Sequence, residues 1–268
     1  MNVSQPADGV GLIAFADPPR NFGTGALADG IMAAVAELEA AGCRVCVLAS
    51  DTPGYFIAHW SLQFIIDRQA ALEARDNAAP PPAPRIFEEI SARPMITIAA
   101  NNGQAWGGGA ELSWACDLRI AAESATYGQP EVGLGIIPGA GGTTRLSRLI
   151  GPTKCLEMVL DGRPITAGEA LALGAINKVV PDHELRVAAI EWAAHIAQWP
   201  AWSLEACKRS FYEGQELPLP AAGRNESLIF GTMTRRADAI ALLGEVQARY
   251  DAGMDSYDAI GLDRPEPA

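Results

Sequence analysis

Two carboxylates and a run of three glycines are the residues of this chain whose types and spacing suggest chemistry. Gly107-Gly108-Gly109 stands between an apolar run rich in β-branched residues, Met95 to Ala100, and a helix-forming stretch, Ala110 to Cys116. Successive glycines are costly in backbone entropy, so they imply φ > 0 or a close approach of the backbone to something else. They also leave N–H groups exposed at a helix N-terminus, where negative charge is favoured. An oxyanion hole needs that arrangement; tight packing of strand against helix would explain the same glycines. Glu111 follows in the first turn of the helix, among small and apolar neighbours, where a carboxylate can also simply complement the helix dipole. Glu131 lies twenty positions later, in Tyr127-Gly128-Gln129-Pro130-Glu131-Val132-Gly133, on a turn beside a presumed strand end. Two carboxylates so placed can divide acid and base roles when burial sets their pKa values apart.

The elements that must position these groups follow from hydrophobic runs and breakers. Val10 to Ala16 suits a first strand ending at Asp17-Pro18-Pro19, and Ala26 to Ala41 a helix stopped by Gly42. Arg44 to Ser50 reads as a buried strand with a turn at Asp51-Thr52-Pro53-Gly54. Ala79-Pro80-Pro81-Pro82-Ala83-Pro84 is excluded from helix and central strand by its prolines and is expected as a surface loop. Arg85 to Arg93 is a helix ended by Pro94, Met95 to Ala100 a buried strand and Asp117 to Ala122 another. Thr166-Ala167-Gly168-Glu169 has capping-box form with Gly174 placed to end its helix, and Asp182 should cap a segment reaching Trp199-Pro200. Beyond that the chain reads as mainly helical, with Asp251 to Ala268 expected to be partly disordered. Strands alternating with helices, then helices alone, predict an α/β core over residues 1–200 and a helical region over 201–268.

The 268 residues are 49% hydrophobic and 19% charged, the balance of a globular protein. No uncharged apolar run approaches the roughly 18 residues that span a bilayer, and the first residues lack the basic and apolar regions of a signal peptide, so a cytoplasmic location and no membrane partner are expected. A net charge of −12 repels phosphate backbones and argues against nucleic acid; an anionic ligand would need local basic side chains or helix N-termini. Five cysteines, an odd number, suggest reduced thiols. Cys43 and Cys46 form a C-x-x-C, but on a strand such residues face opposite ways, and no second cysteine pair completes a zinc site. No metal is expected. The glycine-rich turns do not fit G-x-G-x-x-G after a first strand, and neither a P-loop lysine motif nor a G-x-S-x-G elbow occurs.

Trp106-Gly107-Gly108-Gly109-Ala110-Glu111-Leu112, Cys116-Asp117, Gly128-Gln129-Pro130-Glu131 and Gly135-Ile136-Ile137-Pro138-Gly139-Ala140-Gly141-Gly142-Thr143 with Arg145-Leu146 resemble, in residues and spacing, the central signature of the crotonase family of enoyl-CoA hydratases and isomerases. The likeness extends more loosely from about residue 10 to about residue 210, including Pro18-Pro19-Arg20-Asn21 and the stretch from Ile165 to Pro181. The resemblance implies a spiral of repeated β-β-α units with a helical C-terminal region that serves oligomerisation, as a homotrimer or a dimer of trimers. It implies an acyl-CoA thioester as substrate, with coenzyme A part of that substrate and no separate cofactor. Both hydratase glutamates are matched: Glu111 would help activate a water for attack at Cβ, and Glu131 would supply the proton to Cα. The oxyanion hole would take one amide from Gly108. The resemblance also puts Ala58, His59, Trp106, Gly107 and Gly139 at the acyl-CoA pocket.

One segment departs from the pattern. After the strand ending at Ser50 the family typically reads Phe, two small residues, Gly, Ala, Asp and an aliphatic, whereas this chain reads Phe56-Ile57-Ala58-His59-Trp60-Ser61-Leu62. Trp60 therefore stands at the second amide-donating position and His59 replaces a glycine. His59 invites an acid/base reading, but a lone histidine also serves as an ordinary polar residue; Trp106 suits a pocket wall or core packing. The expected function is hydration of a 2-enoyl-CoA. An enoyl-CoA isomerase, other thioester enolate chemistry, and a non-catalytic acyl-CoA binder are the competing readings.

Overall fold

The computed structural model describes residues 1–73 and 85–264. The Ala79–Pro84 loop expected from the sequence lies outside them. The described chain falls into two compact units, Met1–Leu204 and Glu205–Ala268.

The first unit is built on strands β1 (Asn2–Ala7), β2 (Val10–Phe15), β3 (Val45–Ser50), β4 (Gly54–Ile57), β5 (Ile96–Asn101), β6 (Gly103–Trp106), β7 (Leu118–Ala122), β8 (Thr126–Gly128), β9 (Ile165–Thr166) and β10 (Lys178–Val180). They form a six-stranded sheet in the order β1-β2-β3-β5-β7-β10 and a four-stranded sheet in the order β4-β6-β8-β9. Consecutive strands alternate between the sheets: β3 passes to β4, β5 to β6 and β7 to β8. That alternation is the β-β-α spiral, one strand of each pair in each sheet. Pairing in the larger sheet is parallel except for β1 with β2. Every residue of β2, β3 and β5 is buried, as expected of parallel strands covered on both faces.

Helices α1 (Gly25–Ala40), α2 (Leu62–Glu73), α3 (Ile86–Ala92), α4 (Gly108–Ala115), α5 (Thr144–Ile150), α6 (Pro152–Asp161), α7 (Ala167–Ala172), α8 (Leu185–Ala197) and the start of α9 (Ala201–Gln215) complete this unit. Helix α8 lies against β2, β3, β5 and β7. The Thr166–Glu169 capping box forms, and Gly42 and Gly174 take φ of +83° and +77° after their helices. In the second unit the rest of α9 is followed by α10 (Leu219–Met233), α11 (Ala237–Asp251) and α12 (Ser256–Ile260).

Three sequence expectations are corrected. Val10–Phe15 is the second strand, because Asn2–Ala7 pairs with it along the sheet edge, where a polar strand containing Pro6 is tolerated. Asp182 does not cap α8; its carboxylate accepts the Ser124 N–H at 3.1 Å and so ties the end of β10 to the turn after β7. In the stretch after Asp251, described as far as Arg264, Asp255 caps α12 by accepting from Tyr257 and Asp258 N–H, and Arg249 donates to the Ala259 carbonyl at 2.9 Å. None of the five cysteines forms a disulfide among the described residues, and Cys43 precedes β3 rather than lying in it.

Candidate active site

The two glutamates, Gly107 and Gly108 of the glycine triplet and the His59-Trp60 segment line one cavity of about 700 Å³, together with Trp106, Gly139, Ala140, Phe87, Gly133, Leu134, Ile136, Ile137 and one face of α2. Of the residues assigned to the pocket from sequence, Ala58 alone does not line it. Its N–H donates to the Asn21 carbonyl at 3.2 Å and its carbonyl accepts from Gln104 Nε2 at 3.1 Å, so it braces the segment from behind.

The glycines have identifiable reasons to be glycine. Gly107 has φ +52°, and a Cβ there would stand 2.9 Å from Glu131 Oε1. A Cβ on Gly108 would stand 2.8 Å from the Trp60 ring, and one on Gly109 would collide with the Ile57 carbonyl oxygen. Close packing therefore accounts for the triplet, and it brings the N-terminus of α4 against both Glu131 and Trp60. The first amides of a helix have no partner within it, and the Gly108 N–H donates to none of the described residues.

The Trp60 amide is directed by its neighbours. Asn21 is fully buried with φ +56°, a conformation asparagine tolerates better than most residues, and its Nδ2 donates to Ser50 Oγ at 3.1 Å and to the Phe56 carbonyl. Gly23 N–H then bonds the His59 carbonyl at 2.9 Å, and Ser61 N–H bonds the Gly23 carbonyl at 2.8 Å. These two bonds flank Trp60 and occupy the side of the extended chain facing Gly23. By alternation the Trp60 N–H points to the opposite side, and none of the described residues accepts it. Trp60 is 8% exposed and its ring packs on Phe87 with centroids 5.0 Å apart, so the indole both closes the core and walls the cavity. His59 Nδ1 lies 2.7 Å from the Trp60 carbonyl, which makes Nδ1 a donor, and the ring packs on Phe22.

Glu111 is buried in the first turn of α4, with Oε1 accepting the N–H groups of Ala140 at 2.7 Å and Gly142 at 2.9 Å. Burial raises its pKa; the two amides and the nearby Arg145 guanidinium oppose that rise. Arg145 also fastens the loop, donating to the Ala140 carbonyl at 3.1 Å and to the Phe87 carbonyl. Glu131 begins a short 3-10 helix, Glu131–Leu134, directly after β8. Burial, aided by the charge of Glu111, pushes its carboxyl up to about 7. The fully buried Gln129 amide, oriented so that its oxygen accepts from Trp114 Nε1 at 3.1 Å, donates to both Glu131 oxygens at 3.2 Å. Two buried carboxyls thus face one cavity, and one of them titrates near neutrality.

Sequence alone assigns no role to Gln129, the amides of Ala140 and Gly142, Arg145 or the cavity face of α2, although all but α2 fall within the crotonase-like motifs. A glutamine between Gly128 and Pro130, two residues before the second glutamate, was the available signal for Gln129.

Residues 5–246 match the family described as enoyl-CoA hydratase/isomerase. The chain is 37% identical over 199 residues to a crotonyl-CoA hydratase of Syntrophomonas wolfei, covering 73% of this chain and 75% of that protein. It is 34% identical over 212 residues to a 2,3-dehydroadipyl-CoA hydratase of Escherichia coli K12, covering 78% and 81%. A crystal structure of an enoyl-CoA hydratase from Bacillus anthracis superimposes with a TM-score of 0.81 and 31% identity over 94% of this chain and 96% of that one. The protein belongs to the enoyl-CoA hydratase/isomerase family of enzymes, and its fold is the crotonase fold.

Proposed function

We propose that the protein is an enoyl-CoA hydratase that adds water across the Cα–Cβ double bond of a 2-enoyl-CoA thioester. The observation that carries this reading is the pair of buried carboxyls on one cavity, with Glu131 raised to about 7 and Glu111 held by two backbone amides and attended by Arg145. Such a pair can hold one water between a base and an acid. In this reading Glu111 is ionised and draws a proton from the water as its oxygen attacks Cβ; Glu131 is protonated and gives its proton to Cα. The electrons of the double bond pass through the thioester to its oxygen, where negative charge develops. The Trp60 and Gly108 N–H groups receive that oxygen, with the remaining glycines allowing the approach. Coenzyme A is part of the substrate, and the chemistry asks for no other group.

The hydratase names of the two relatives support the direction of the reaction. An isomerase would move a proton between carbons without water, and one carboxyl would suffice for that transfer; the second favours hydration. The apolar side chains exposed on the second unit, among them Leu219, Leu228, Phe230 and Leu243, support assembly into trimers or dimers of trimers. The function is tested by following the loss of conjugated enoyl-thioester absorbance over a panel of 2-enoyl-CoAs. No loss with any chain length would favour the non-catalytic binder.

A further inference from the structure

The face of α2 that meets the cavity is not uniformly apolar. Leu62, Ile65, Arg68 and Gln69 lie on it, at spacings that place them on one side of a helix. Among the described residues lining the cavity Arg68 is the sole arginine or lysine, and it is half-buried. The helix begins two residues after Trp60. A rise of about 1.5 Å per residue puts Arg68 about 9 Å farther along it than Leu62, since six residues separate them. The lining of the same cavity includes aliphatic and aromatic side chains, Leu62, Phe64 and Ile65 on α2 with Phe87, Ile136 and Ile137.

A hydrocarbon tail gains nothing from a guanidinium on such a wall, and pressing one against it removes water from a charge. A terminal carboxylate does gain, because the planar fork of arginine matches its two oxygens and a charge-assisted pair is strengthened by apolar surroundings. The Gln69 amide adds further donors. A chain of net charge −12 repels a carboxylate-bearing acyl group at long range, so its recognition needs a local cation. From this juxtaposition, and resting on the hydratase reading of the site, we infer that the acyl pocket takes 2-enoyl thioesters carrying a terminal carboxylate and that Arg68 is the residue that binds it.

The test compares kcat/KM of the full-length protein for 2-hexenoyl-CoA and 2-hexenedioyl-CoA, which have equal carbon counts and differ in the terminal group. The parent should favour the dicarboxyl substrate by about tenfold, the scale of one charge-assisted hydrogen bond. In Arg68→Gln that ratio should collapse to about one through KM, and Arg68→Lys, which keeps the charge without the planar fork, should retain only part of it. A ratio unchanged by Arg68→Gln overturns the inference. That includes the case in which both thioesters weaken equally in the variant while 2-hexenoyl-pantetheine does not, since Arg68 would then be holding a coenzyme phosphate. Calorimetric binding of the saturated hexanoyl and hexanedioyl thioesters of CoA separates this inference from the reaction itself. An Arg68-dependent preference without any hydration would refute the hydratase reading alone, whereas equal binding of the two by the parent protein overturns the inference even if Arg68→Gln does not fold.

Discussion

The Trp60 position separates side chain from backbone unusually well, because the bonds that hold the segment in register use His59 and Ser61 rather than Trp60. Replacing Trp60 by proline removes its N–H yet leaves Gly23 its two partners, the His59 carbonyl and the Ser61 amide. Replacing it by alanine removes the same ring and keeps the N–H. Both variants lose the packing against Gly23, Gly108 and Phe87, which for a buried tryptophan costs about 3–5 kcal/mol of stability. Their difference isolates the amide. One oxyanion donor is worth about 3–4 kcal/mol, so Trp60→Pro should turn over roughly 10²- to 10³-fold more slowly than Trp60→Ala. Trp60→Ala should also accept bulkier acyl groups, since its ring walls the cavity. The assay is enoyl-thioester absorbance at saturating substrate, run beside far-UV circular dichroism and sedimentation to establish that both variants are folded. Equal kcat in two folded variants would refute the assignment of this amide.

Four further outcomes are expected. With Glu131 raised to about 7 and acting as the acid, hydration kcat/KM should fall about tenfold per pH unit above about 7, and a flat alkaline limb would contradict the role. Its folded pKa lies above the ordinary value of 4.5, so its contribution to stability is complete below that value and is lost as pH rises through about 7; the Tm of Glu131→Gln should therefore gain on the parent between about pH 5 and pH 8, and a constant gap would refute the buried titration. Gly109→Ala places a Cβ on the Ile57 carbonyl, which cannot yield without moving β4, and should cost about 1–3 kcal/mol in urea denaturation along with most activity; a neutral effect would show that α4 can shift. Sedimentation at micromolar concentration should give a species larger than the 28.2 kDa chain, and a compact monomer would remove the proposed assembly.

How much was legible in the sequence depended on whether a residue's role was local. The buried parallel strands announced themselves as apolar runs, Val45–Ser50 and Ile96–Asn101, and the capping box at Thr166 acted where its residues stand. The short strands of the smaller sheet, β4, β6 and β8, have three or four residues each and follow a longer strand almost without interruption, so no period marks them. Asn2–Ala7 is polar because only one edge is paired, and Asp182 bonds a turn 58 positions away that no local cap rule foresees. In the site, the glutamates and glycines stood out by type. Gln129 did not, since its function depends on Trp114 behind it and Glu131 before it, and Arg68 gains meaning only when the helix is seen to face the cavity. Asn21 stands in the Pro18-Pro19-Arg20-Asn21 pattern, while its work, aiming the segment from Phe56 to Ser61, is visible only in three dimensions.

The central claim, that two buried carboxyls on one cavity hydrate a 2-enoyl thioester, is tested most directly by single-turnover and steady-state hydration of crotonyl-CoA and longer 2-enoyl-CoAs by the parent, Glu111→Gln and Glu131→Gln. Each substitution nearly preserves shape and removes one proton transfer, worth roughly 10²- to 10⁴-fold. The account predicts that both variants fold and bind acyl-CoA while losing hydration by that factor, and a variant that hydrates every substrate as fast as an active parent would contradict it.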